Sequence, residues 1–252
     1  MSMVKVIDYI HSKLKTGPLH MTLIDPDKQP PEAAGRIAKE ASGCGTSAIM
    51  VGGSTGIEKK GLEETITAIK AHTDRPVICF PSSASGLSRN FDAIYFLSML
   101  NSASPRHITG EQAAGAQTVK SLGIEPIGMG YLIIEPGMKV GEVGRAVPIR
   151  RADVDTAVGY ALAAEYFGMK LIYLEAGSGS PEPVPGEMIR AVKNAISVPL
   201  IVGGGIRDPV AAGMVVRAGA DITVTGTVIE HDNRVENLCG IIDAINSAGK
   251  RK

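Results

Sequence analysis

Cysteine is scarce: Cys44, Cys79 and Cys239 are the only ones in 252 residues, far apart and without a CxxC pair. That spacing argues against a disulfide scaffold. The absence of HxxxH among His11, His20, His72, His107 and His231 argues in the same way against a zinc site. An excess of one charge is missing too. Lys plus Arg and Asp plus Glu stand at 26 each, and neither sign gathers into a long run, so there is no electrostatic footprint for nucleic acid. No segment reaches the roughly 18–20 consecutive apolar residues that cross a bilayer. The first residues, MSMVKVIDYIHSKLK, mix Lys, Asp and His into positions that a secretory signal would keep apolar. The expectation is a cytosolic, cytoplasmic protein whose membrane contact is at most peripheral.

What is present is a regular alternation. Short apolar, β-branched runs recur between longer stretches of helical period, as in a buried parallel sheet wrapped by helices. The strand candidates are LHMTLID, SAIMVGG, PVICF, DAIYFL, PIGMGYLII, KLIYLEAG, PLIVGGG and DITVTG, about eight, enough to close a barrel. Helices are expected over PEAAGRIAKEASGCG, LEETITAIKAH, EQAAGAQTVKSLG, VDTAVGYALAAEYFG, GEMIRAVKNAI and VAAGMVVRAG, with Asp208-Pro209 as N-cap and first-turn proline of the last. The fold class is therefore α/β, a single parallel (β/α)8 barrel of the TIM type occupying residues 1–252. One connection breaks the rhythm. FPSSASGLSRNFD, from Phe80 to Asp92, is too short and too rich in Ser and Gly for a helix with its loops, so the third helix is expected to be missing or replaced by a loop. A lateral groove for an extended apolar ligand would open there.

Parallel barrels place reactive groups at the C-terminal strand ends and commonly bind phosphate after the seventh and eighth strands. Three glycine-bearing loops fall in this region: YLEAGSGS from Tyr173 to Ser180, Gly203-Gly204-Gly205 and Gly226-Thr227. Glycine lets backbone N–H groups approach an anion, so the three suggest a phosphate cradle. Strand alternation turns Glu175 toward the mouth if Leu174 faces away, which makes it a candidate base for a substrate hydroxyl. Its competing reading is a carboxylate paired with Arg or Lys inside the barrel. Asp25-Pro26-Asp27-Lys28 and Gly52-Gly53-Ser54-Thr55 end the first two strands, and Asp25 is the better Mg2+ ligand of this region. The alternative there is a simple turn, with Asp27 capping the helix that begins near Pro30.

Taken in order, HMTLIDPDK, IMVGGST, FPSSASGLS, MGYLIIEPG, YLEAGSGS, IVGGGIR and VTGTVIE resemble the geranylgeranylglyceryl phosphate synthase family over nearly the whole chain. The resemblance implies a modified barrel lacking its third helix. It also implies a prenyltransferase that joins the C3 hydroxyl of sn-glycerol 1-phosphate to geranylgeranyl diphosphate, releasing diphosphate, with Mg2+ as cofactor. On the same resemblance Asp25 and Ser54 hold the metal. Tyr173, Leu174, Glu175, Ala176, Gly177, Ser178, Gly179, Gly204, Gly205, Gly226 and Thr227 bind glycerol phosphate, and Glu175 with Tyr173 carries the chemistry. A homo-oligomer is implied, dimer-based and up to a hexamer, as in the archaeal branch that the YLEAGSG form is similar to. Two other classes stay open. An isomerase or lyase acting on a sugar or indole-glycerol phosphate would use the same cradle but neither DPDK nor a side groove. A phosphate-metabolite sensor would bind without turnover.

Overall fold

Strands β1 (Leu19–Ile24), β2 (Ala48–Val51), β3 (Val77–Cys79), β4 (Ala93–Met99), β5 (Glu125–Ile133), β6 (Leu171–Glu175), β7 (Leu200–Gly203) and β8 (Ile222–Thr225) run parallel and close into a barrel in chain order. The structure, a computed structural model, describes residues 5–52, 59–84, 86–230 and 234–249. Closure is made by β8 pairing back to β1, from Leu19 opposite Ile222 to Thr22 opposite Thr225. Strands covered on both faces need no exposed side, which is why β2, β7 and β8 are buried at every position, with β2 and β7 reading as continuous apolar runs. One parity of each strand, including Met21, Met50, Tyr95, Met129, Tyr173 and Val224, fills the barrel interior. The opposite parity packs under the surrounding helices with residues such as Ile24, Val51, Leu132, Leu174 and Val202.

The helices α2 (Pro31–Cys44), α3 (Lys59–Lys70), α4 (Glu111–Leu122), α6 (Val154–Tyr166), α7 (Gly186–Ala195) and α8 (Pro209–Ala218) fall where the periodicity placed them. Asp208 caps α8 as its sequence suggests, its carboxylate accepting from the Ala211 N–H at 2.8 Å ahead of Pro209. Among the described residues, three more α-helices have no counterpart in the sequence reading. They are α1 (Val6–Leu14), α5 (Met138–Val143) and α9 (Arg234–Gly249). Val6 and Ile10 of α1 join the interior cluster. The Glu125 carboxylate at the start of β5 accepts from the first free N–H groups of α1, those of Val6 and Ile7, so α1 stoppers the N-terminal end of the barrel.

Between Cys79 and Ala93 the described residues form no helix, so the ring of helices is open after β3 as expected. Leu87 and Phe91 fold under the connection and occupy part of the vacated layer, each at most 5% exposed. The Glu111 carboxylate of α4 accepts from the Ala84 N–H at 2.9 Å and pairs with Arg106, which ties the connection to the next helix.

The expectation against a disulfide is overturned. Cys44 at the end of α2 is bonded to Cys239 of α9 across 195 residues, with a Cα–Cα distance of 4.7 Å. Closure of the barrel causes this, because it seats the last helix beside the first one of the ring, an adjacency that linear spacing does not reveal. Cys79 remains a thiol, and burial pushes its pKa up to about 12, so it is an inert core residue.

On the outer face of β1, His20 is buried, with Nδ1 3.0 Å from the Thr46 hydroxyl and Nε2 2.8 Å from the Thr225 hydroxyl. Desolvation lowers its pKa to about 3. The folded state therefore binds fewer protons than the unfolded chain between pH 6.5 and 3, and stability contributed by this site is lost as pH falls through that window. We expect about 2–3 kcal/mol of such loss between pH 7 and 4.5, from 1.36 kcal/mol per pH unit. Denaturant titration of the wild type and of His20→Gln at both pH values would measure it. Equal losses in the two proteins would remove His20 from the account.

Candidate functional site

The C-terminal ends of the strands open into a cavity of about 410 Å3 that continues sideways beneath the Phe80–Asp92 connection. Its mouth is polar, lined by Asp25, Lys28, Lys139, Glu175, Ser178 and Gly226. Its lateral arm is largely apolar, with Leu87, Leu97, Met99, Gly115, Val119 and Val140 among its lining and His107, Glu111 and Gln112 on the α4 side. The arm exists because no third helix fills that sector, and it runs between β4 and α4. An amphiphile with an anionic head and a long hydrocarbon tail matches this polarity.

Glu175 ends β6 and is 6% exposed. The strand alternation works out as expected: Tyr173 lies in the barrel interior, Glu175 faces the cavity, and Leu174 packs outward against the helices. The carboxylate accepts from the Gly177 N–H at 2.6 Å and from the hydroxyls of Tyr131 and Tyr173. No ion pair to Glu175 occurs among the described residues, so the reading of a structural Arg or Lys pair does not hold. Burial raises its proton affinity above the ordinary carboxylate range, while the three donors pull the other way. A desolvated carboxylate with a raised pKa, directed by fixed donors, is suited to take a proton near neutral pH.

Two glycines are required by this geometry. Gly204 has φ +81°, and a Cβ there would lie 2.6 Å from both the Glu175 Oε1 and the Gly177 N. Gly177 has φ +97°, and a Cβ there would lie 2.6 Å from the Gly137 carbonyl. Side chains are therefore barred from both positions by conformation and by space, and the loops after β6 and β7 can interlock around the carboxylate. The loops are further joined by Arg207, which donates to the carbonyls of Gly179 and Ser180 at 2.7 and 2.8 Å. Ser178 and Thr227 hydroxyls meet at 3.4 Å, bringing the loop after β8 alongside.

The sequence-predicted residues separate into groups. Asp25, Glu175, Ser178 and Gly226 line the cavity itself. Gly177, Gly179, Gly204 and Gly205 shape the loops around it, all with positive φ, and Thr227 stands at the neighbouring turn. Leu174 and Ala176 are buried in the outer layer, where only their backbone can serve a ligand. Tyr173 is 1% exposed beneath Glu175 and supports it from inside the barrel. Ser54 lies outside the described residues. At Asp25 the turn reading is half right: its Oδ1 accepts from the Asp27 N–H at 3.1 Å, closing a turn. Asp27 does not cap α2, however, whose N-cap is Pro30 without a side-chain bond.

The donor chemistry fits Mg2+. No cluster of three or more His, Cys, Asp or Glu side chains occurs among the described residues, while Asp25 offers a carboxylate at the polar mouth. Mg2+ is commonly held by one or two protein carboxylates, with phosphate and water completing its shell.

Tyr131, Phe80 and Tyr95 were not singled out from the sequence. Register brings Tyr131 opposite Tyr173 on adjacent strands. Phe80 lies with its ring centre 5.6–6.3 Å from those of Tyr131, Tyr173 and Tyr95. The signal that could have found them was inward parity near a strand end, but parity alone does not say which strand ends meet.

Comparison with known proteins agrees with this architecture. A model of the PcrB family matches residues 9–248. The chain is 55% identical over 246 residues to the geranylgeranylglyceryl phosphate synthase of Thermococcus gammatolerans, covering 98% of each chain. The crystal structure of (S)-3-O-geranylgeranylglyceryl phosphate synthase from Thermoplasma acidophilum, in complex with its substrate sn-glycerol-1-phosphate, superposes with a TM-score of 0.95 at 48% identity. It covers 97% of this chain and 100% of that one. Thiamine phosphate pyrophosphorylase from Pyrococcus furiosus, at 15% identity and a TM-score of 0.62, covering 93% of this chain and 98% of that one, shares the fold alone.

Proposed function

The chain belongs to the PcrB family, the family of the geranylgeranylglyceryl phosphate synthases, and from that premise we propose that it joins the C3 hydroxyl of sn-glycerol 1-phosphate to geranylgeranyl diphosphate as an ether, releasing diphosphate. The observation that carries the reading is the cavity: a buried carboxylate with raised proton affinity stands at the junction of a polar, glycine-looped mouth and an apolar side arm. The arm takes the prenyl chain and keeps water from its reactive end. The isomerase and sensor readings leave that arm without a purpose.

The residues divide the work. Backbone N–H groups of Ser178-Gly179, Gly204-Gly205 and Gly226-Thr227 hold the glycerol phosphate, because glycine removes the side chains that would keep an anion at a distance, while the Gly177 N–H stays on Glu175. Fixing the acceptor in this way makes its attack effectively intramolecular. Glu175 takes the proton of the C3 hydroxyl as the ether bond forms, with Tyr131 and Tyr173 holding its carboxylate in place. Asp25, with Ser54, would hold Mg2+. When bound, the metal supplies positive charge that offsets the charge building on the departing diphosphate.

The deciding measurement is turnover of sn-glycerol 1-phosphate with geranylgeranyl diphosphate, with and without Mg2+, and with sn-glycerol 3-phosphate as control. Ether formation that depends on Mg2+ and on the 1-phosphate enantiomer is the expected result; no product from any prenyl diphosphate would end the reading. Asp25→Asn is expected to raise the Mg2+ concentration needed for half-maximal rate by about 10-fold or more, an effect of at least about 1.4 kcal/mol. An unchanged Mg2+ titration would remove Asp25 as a ligand.

A further inference from the structure

The cavity carries a wall of packed aromatic rings, of which Phe80 and Tyr95 have no role yet in the proposed chemistry. Phe80, Tyr95 and Tyr131 line the cavity, and Tyr173 lies beneath Glu175. The four differ in what they can offer a ligand. Tyr131 and Tyr173 commit their hydroxyls to Glu175, and Tyr95 donates to the Met21 Sδ at 3.0 Å. All three are at most 2% exposed. Phe80 is half-buried, lines the cavity and has no hydroxyl committed elsewhere.

The position of Phe80 follows from its neighbours. On the β2 side, a Cβ at Gly52 would overlap the Phe80 carbonyl, so the end of β2, beside Asp25 on β1, presses against this residue. On the opposite side its ring centre is 5.6 Å from that of Tyr131 and 5.9 Å from that of Tyr173, the two residues that hold Glu175. Phe80 thus spans the interval between the carboxylate assigned to the leaving group and the one assigned to the attacking hydroxyl. The carbon that changes partners must lie in that interval.

We propose that Phe80 is a further catalytic residue, whose ring face stabilises the positive charge that develops on the allylic C1 carbon of the prenyl donor. The inference rests on the prenyl-transfer reading above. In the step, the C1–O bond to diphosphate breaks and its electron pair leaves with the diphosphate. The C3 hydroxyl oxygen supplies the pair for the new C1–O bond, and its proton passes to Glu175. The ring neither gains nor loses a bond. A neutral aromatic face suits this task, because it attracts a cation without capturing it, and the attraction grows where water is excluded. The surrounding phenols are safe neighbours for the same reason. Burial raises the pKa of Tyr95, Tyr131 and Tyr173, so none presents a phenolate that the cation could alkylate.

The test replaces Phe80 with 4-fluoro-, 3,5-difluoro- and 3,4,5-trifluorophenylalanine, which drain the ring face of charge at nearly constant shape, and with Leu. Single-turnover rates are read with geranylgeranyl diphosphate and saturating sn-glycerol 1-phosphate, beside donor affinity and thermal midpoint. The rate is expected to fall with each added fluorine, reaching about 10–30-fold for the trifluoro ring, with donor affinity within about twofold and an unchanged midpoint. Phe80→Leu should lie at or below the trifluoro rate. A rate independent of fluorination in an active enzyme would overturn the inference and leave Phe80 a packing residue. Absence of ether product from the wild type would overturn the prenyl-transfer reading, and the inference with it.

Discussion

Glu175→Gln is expected to lower turnover by about 10²–10⁴-fold, the range that a positioned general base contributes. The KM for sn-glycerol 1-phosphate should stay within a few-fold, because the phosphate is assigned to the backbone of the glycine loops. The amide cannot accept a proton, yet it keeps the size of the side chain, so the interlock of Gly204 with Gly177 should survive. The pH dependence supplies an independent check. Because burial raises the Glu175 pKa, the base form is lost as pH falls through a value above the ordinary carboxylate range. The wild type should therefore show an acid limb displaced toward neutrality, and Glu175→Gln should lack that limb at its residual rate. Parallel losses of turnover and phosphate affinity would show that Glu175 only orders the loop after β6.

The second large effect concerns stability. The Cys44–Cys239 bond closes a loop with a sequence separation of 195, which in the chain-entropy model restrains the unfolded state by about 5 kcal/mol. The double variant Cys44→Ser/Cys239→Ser is expected to unfold about 10–20 °C lower, at roughly 2–4 °C per kcal/mol for a chain of this size. Reductant should lower the wild-type midpoint similarly and leave the double variant unmoved. Turnover at 25 °C should be unaffected, since neither cysteine lines the cavity. If wild type and double variant melt together, with and without reductant, the bond makes no contribution to stability.

Much of the architecture was legible locally. Most strands are short, largely apolar runs bounded on at least one side by Gly, Pro or Asp, so all eight emerged from pattern alone. The missing helix was equally visible, because thirteen residues from Phe80 to Asp92, rich in Ser and Gly, cannot hold a helix and two loops. The glycine loops were found by composition, and the positive φ values of Gly177, Gly179, Gly204 and Gly205 are the conformations that only glycine adopts readily. The resemblance to a known family selected among phosphate-binding barrels, which the loops by themselves could not do. Helix α1 is less legible: its polar-interrupted sequence argues only against a secretory signal, and its role as a stopper depends on Glu125, more than a hundred residues away.

Sequence alone determined the alternation of strand and helix, the gap in the helical ring and the place of Glu175 at an inward strand end, because each depends on a few consecutive residues and their period. Only the tertiary structure decided which strand ends converge. Closure set β8 beside β1 and α9 beside α2, which joined Cys44 to Cys239. Register set Tyr131 opposite Tyr173, which gave Glu175 its second phenol. Burial then turned an ordinary carboxylate into one of raised proton affinity and left Phe80 facing the cavity. Local period sets how each segment folds, whereas partners are set by loop closure across the whole chain, and pKa follows from partners and burial.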